Sequence, residues 1–151
     1  MGAVFVRDGI YDSFMEAAPE GAIEFFHGYT YSGHPLACAA GLATLEVYRE
    51  EDLFARAAEL APYFQEAVHS LADCSNVIDV RNLGLMGAIE LESIVDKPTV
   101  RAMEAFQKAF EAGLLVRTTG DTIALSPPLI VERKHIDFIA ETVRDVLKTV
   151  H

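Results

Sequence analysis

The chain has 151 residues, with 12 Lys plus Arg against 23 Asp plus Glu, so its formal net charge is −11; 51% of residues are apolar and 23% charged. Such a balance is globular rather than disordered, and its acidity speaks against the basic stripe that binding a nucleic-acid backbone demands. No apolar run reaches the ~20 residues of a membrane span, no basic start followed by an apolar stretch marks a secretory signal, and Cys38 and Cys74 stand too far apart for a CxxC or zinc-knuckle pattern. The expectation is a cytoplasmic protein with free thiols.

In chain order, Met1 to Val6 is an apolar run of strand length and composition, and with neither face polar it wants cover on both sides. Glu16 to Gly33 is polar and carries Gly and Pro. Pro35 to Glu50 then reads as a helix, because Pro is favoured in a first turn, with Ser32 or His34 near the cap. Ala37 to Ala43 is almost entirely small residues, so a packed, buried helix is expected there. Between Asp52 and Ala72, the residues Leu53, Ala57, Leu60, Phe64, Val68 and Leu71 form one helical apolar stripe, which Pro62 is expected to bend or interrupt.

Two apolar runs, Val77 to Val80 and Leu85 to Leu91, read as a pair of strands around Arg81-Asn82-Leu83-Gly84. A helix follows from Thr99 to Ala112, with Val100, Met103, Phe106 and Phe110 expected inward and Gly113 as its stop. Leu114 to Thr118 and Thr122 to Ser126 flank Thr119-Gly120-Asp121 as a hairpin. The last helix runs from about Glu132 to Val150 and buries Ile136, Ile139, Val143, Val146 and Val150. From about Val47 onward this order describes an α+β layer of helices on a small antiparallel sheet.

Four features can carry chemistry. The loop Tyr29-Thr30-Tyr31-Ser32-Gly33 leads straight into a helix, and hydroxyls, helix-start N–H groups and a Gly together make a seat for an anion, although an ordinary capped helix start has the same parts. Arg117 ends the apolar run Leu114-Leu115-Val116 in a hairpin with no other cation. A guanidinium on a rigid strand suits bidentate carboxylate recognition; snorkelling at a sheet edge or pairing with Asp121 is the alternative. The glycines of Arg81-Asn82-Leu83-Gly84-Leu85-Met86-Gly87 point to a turn or bulge and close backbone approach, hence to structure. His27, His34, His69, His135 and His151 show no metal-ligand spacing, and Ser32 lies in no GxSxG elbow, so neither a metal site nor a serine hydrolase is expected.

Taken together, His27-Gly-Tyr-Thr-Tyr-Ser-Gly-His-Pro35 followed by Ala37-Cys-Ala-Ala-Gly41, then Arg81-Asn-Leu-Gly-Leu-Met-Gly-Ala-Ile-Glu-Leu91, Val116-Arg-Thr-Thr-Gly-Asp121 and Ser126-Pro-Pro-Leu129, resemble the carboxy-terminal part of a class III (omega) aminotransferase. The likeness covers the whole chain in order and spacing, and within the family is strongest to the β-alanine:pyruvate and ω-amino acid:pyruvate group. It implies an α/β, fold-type I enzyme using pyridoxal 5′-phosphate and working as a homodimer on small amino and keto acids. Residues 1–45 would then finish the large cofactor domain, and 46–151 would be the small C-terminal α+β domain.

By the same resemblance, Thr30, with Tyr29 beside it, binds the cofactor phosphate of the neighbouring subunit, and Arg117 grips the substrate carboxylate. The family's Schiff-base lysine belongs to a Lys-x-Leu-x-x-Gly-x-x-Pro loop expected just upstream of Met1. Lys97, Lys108, Lys134 and Lys148 match no part of that loop. The expectation is therefore a fragment, inactive by itself, that keeps a phosphate contact and a substrate arginine. The alternative is a non-catalytic dimerisation or acid-binding module with the same fold.

Overall fold

A computed structural model describes residues 2–25, 28 and 30–150. Backbone contacts divide the chain into two compact units, Met1–Glu50 and Glu51–His151.

The first unit contains helices α1 (Asp8–Ala17) and α2 (Pro35–Glu50). The strand expected over residues 1–6 does not form among residues 2–6. A strand needs a ladder partner, and no described residue offers one, so Val4 and Phe5 stay 90% and 94% exposed. Helix α1 was not expected from the pattern; its Ile10, Tyr11, Phe14 and Met15 remain exposed, and Phe14 meets Phe25 edge-to-face at 5.4 Å. The α2 bounds match the expectation, but α2 is not the buried helix expected, since none of its residues is fully buried. Small side chains permit close approach without supplying the neighbour, and of the α2 residues only Cys38, Gly41 and Tyr48 are half-covered.

The second unit runs α3 (Leu53–His69), β1 (Val77–Leu83), β2 (Met86–Leu91), α4 (Val100–Glu111), β3 (Arg117–Thr119), β4 (Thr122–Leu125) and α5 (Arg133–Leu147). The four strands form one antiparallel sheet in the order β1-β2-β4-β3. Both hairpins close with two-residue loops, Gly84-Leu85 and Gly120-Asp121, in which the glycine takes positive φ (57° and 59°). Glycine at the first central position is what a II′ hairpin requires, and it matches the strand twist.

One sheet face carries Ile89, Leu91, Ile123 and Leu125 into the core, where they meet Phe64, Val68, Leu71, Ile136, Val143 and Leu147. Of the expected bend or interruption at Pro62, the interruption does not occur: helix α3 continues through it from Leu53 to His69. An apolar stripe that buries Leu53, Phe64 and Val68 outweighs one missing helical hydrogen bond. On α4 the buried residues are Ala102, Ala105 and Ala109, with Phe106 half-covered. Val100, Met103 and Phe110 are 46%, 51% and 60% exposed rather than inward. The alanines let α4 lie close to its neighbours, and the larger side chains occupy the outer flank. On α5, Ile136, Val143 and Val146 are buried as expected, and Val150 is covered just beyond the helix end.

Candidate functional site

The sheet has a second face, and its composition follows from the register. Arg81 lies opposite Ala88, Ala88 opposite Ala124, and Ala124 opposite Arg117. Directly opposed residues of an antiparallel pair share a face, so these four form one row. An arginine stands at each end, three strand spacings or about 14 Å apart, over a floor of two alanines.

The two arginines differ in their engagement. Arg81 donates to Asp79 at 2.5 Å and to Glu90 at 2.8 Å. These bonds, with Glu90 the larger influence and Asp79 next, hold its guanidinium above the ordinary arginine range. Arg117 is exposed and makes no ion pair among the described residues. The pairing with Asp121 left open by the sequence is not formed: Asp121 Oδ1 instead accepts the Thr99 backbone N–H at 2.9 Å. Arg117 also begins β3 rather than ending a strand from Leu114, because the ladder to β4 starts at the Arg117–Ala124 pair. Counting back from the Gly84 turn would have placed Arg81 opposite Ala88. The carboxylate partners that occupy Arg81 were not foreseen.

In the first unit, Thr30 is exposed at the start of a turn over residues 30–33, which His34 joins to α2. Gly33 takes φ +70° there, and the Cys38 N–H donates to the His34 carbonyl as the helix begins. An exposed hydroxyl ahead of a sixteen-residue helix fits an anion seat. Tyr29 lies outside the described residues, as does His27.

The remaining candidates have structural explanations. Gly84 turns the hairpin, while a Cβ on Gly87 would sit 3.2 Å from the Phe64 ring and 3.3 Å from Val68. His69 Nε2 pairs with Asn82 Oδ1 at 2.9 Å, and His135 Nδ1 accepts the Glu132 N–H at 3.2 Å. Cys38 and Cys74 are free. Among the described residues no cluster of His, Cys, Asp or Glu could hold a metal ion, and no helix is long and apolar enough to cross a membrane.

Residues 1–147 match the family described as Aminotransferase class-III. The chain belongs to the class III aminotransferase family, and its antiparallel sheet with covering helices is part of that α/β fold. It is 64% identical over 146 residues to an omega-aminotransferase of Caulobacter vibrioides, and 46% identical over 148 residues to a beta-alanine–pyruvate aminotransferase of Pseudomonas aeruginosa; each alignment covers 97% of this chain and 33% of the relative. An amine transaminase from an uncultivated Pseudomonas species, solved in its PLP-bound form, superposes with a TM-score of 0.76 at 32% identity, over 95% of this chain and 34% of that one. The chain thus spans about a third of the length of the curated relatives it matches.

Proposed function

We propose that these residues serve a pyridoxal-phosphate-dependent aminotransferase that moves an amino group from an ω-amino acid or amine to pyruvate or a similar keto acid. The observation that carries this reading is the contrast on the open sheet face. Of the two arginines in one row of a class III aminotransferase chain, one is saturated by carboxylates and Arg117 is free to take another. Pyridoxal phosphate, when bound, supplies the electron sink and carries the amino group between donor and acceptor.

Arg117 contributes orientation. A planar guanidinium on a strand takes a carboxylate through two parallel hydrogen bonds and fixes where the rest of the substrate lies. Thr30 contributes anchoring, its hydroxyl and the neighbouring backbone meeting the cofactor phosphate of a neighbouring subunit, with Tyr29 beside it. This assignment requires a dimer. Residues 1–45 are assigned to the end of the large cofactor domain and 46–151 to the small one.

None of the lysines is assigned to the cofactor. Lys108, Lys134 and Lys148 form surface ion pairs with Glu104, Glu132 and Asp145 at 2.7 to 2.8 Å and match no part of the lysine loop. Lys97 lies exposed in the β2–α4 connection and matches no lysine loop. The attachment lysine is assigned to residues outside 1–151.

The test is Arg117→Ala in the complete enzyme, assayed on β-alanine and on propylamine, which replaces the carboxylate by a methyl. A lost charge-assisted pair of about 1.5–3 kcal/mol corresponds to a ten- to hundredfold rise in the ratio of the two KM values. Equal effects on both substrates would remove the carboxylate role.

A further inference from the structure

We infer that Asp121 is the positioning residue for Arg117, an inference that rests on reading Arg117 as the carboxylate-binding group. Arg117 begins β3, a three-residue edge strand whose ladder runs on one side only, to β4. Such a strand has few bonds to fix it, whereas a bidentate grip tolerates only ~0.5 Å of misplacement.

The hairpin loop supplies what the ladder lacks. The Asp121 carbonyl accepts the Leu91 N–H at 2.9 Å, tying the loop to the end of β2. The Asp121 carboxylate accepts the Thr99 N–H, also at 2.9 Å, tying the same loop to the start of α4. Thr99 sits at φ +69°, a left-handed conformation that a β-branched residue adopts only under local constraint. Its own carbonyl accepts the Met103 N–H as α4 begins. A carboxylate at that helix start is also favoured by the peptide dipoles. One residue further along β3 from Arg117, Thr118 Oγ1 lies 3.6 Å from Met103 Sδ, so β3 meets the same turn of α4 that Asp121 secures.

Asp121 therefore acts on the substrate through the backbone. It locks the β3–β4 loop to β2 and α4, and so sets where the Arg117 guanidinium stands on the open face. The acceptor oxygen matters more than the charge, so an amide should serve nearly as well.

The experiment uses the complete enzyme with Asp121→Ala, Asp121→Asn and Arg117→Ala, and reads the ratio of KM for β-alanine to KM for propylamine. Asp121→Ala should raise the ratio about tenfold, Asp121→Asn should restore it to within about threefold of the parent, and Asp121→Ala added to Arg117→Ala should raise it no further. A rise in Arg117→Ala but not in Asp121→Ala overturns the positioning role and leaves the carboxylate role standing. No rise in Arg117→Ala overturns both. An Asp121→Ala loss that falls equally on both substrates makes Asp121 merely structural and also overturns the inference. Should Asp121→Ala yield no folded enzyme, Asp121→Glu, whose extra methylene misplaces the acceptor, is read by the same two outcomes.

Discussion

At Arg81 and Arg117 the same side chain is engaged differently because of what its neighbours offer. Asp79 lies two positions along β1 from Arg81, and Glu90 on β2 also reaches it, so two carboxylates converge on one guanidinium. Arg117 has only Ala124 directly opposite. Arg81→Ala should consequently leave the β-alanine to propylamine KM ratio where it is, while Arg117→Ala shifts it; steady-state kinetics on the pair separates a structural cation from a binding one. Gly87 is the residue-scale counterpart in the core. Its φ is not among the positive ones, so Ala is acceptable to the backbone and the cost is steric, a Cβ pressed to 3.2–3.3 Å against Phe64 and Val68. Gly87→Ala should destabilise the fold by about 1–3 kcal/mol, seen as a lowered midpoint in urea unfolding with an unchanged slope.

Elements show where pattern suffices and where it does not. The α3 stripe and the presence of both hairpins are legible, because a helical apolar period and a glycine near a tight turn each have one economical solution. The first connection is nevertheless shorter than expected: Arg81, Asn82 and Leu83, read as part of it, pair as the end of β1, and Leu85, read as strand, lies in the loop. The inward face of α4 is not legible in the sequence, because three alanines are a weak apolar signal beside Val100, Met103 and Phe110, although packing distance favours the smaller side chains. Arg117 could be singled out as a cation after an apolar run, but its relation to Arg81 depends on strand register, which pairs residues 36 positions apart. At the start of α5, Glu132 is held below the usual carboxylate range, first by its hydrogen bond to Lys134 and then by that lysine's charge. A carboxyl whose pKa is lower folded than unfolded adds stability above its unfolded value of about 4.5 and loses it as pH falls through the lower folded value. The stability difference between the parent and Glu132→Gln should thus be present at pH 7 and shrink toward pH 3 in urea titrations. A difference that grows on acidification would contradict the assignment.

For the molecule as a whole, the two units differ in what they present to solvent. Glu51–His151 has a closed core and one open sheet face bearing the free arginine. Met1–Glu50 has two helices without a fully buried residue and an exposed hydroxyl ahead of the longer one. Large exposed apolar side chains in that unit, such as Phe5, Leu36 and Leu42, are suited to contact with further protein. In the proposed assignment the chain binds and orients, and covalent attachment of the cofactor happens elsewhere. That division is tested most directly by treating the 151-residue chain with pyridoxal phosphate and borohydride and mapping the peptides by mass spectrometry. The account predicts that none of Lys97, Lys108, Lys134 and Lys148 is selectively fixed at low cofactor concentration; near-stoichiometric labelling of one of them would contradict it.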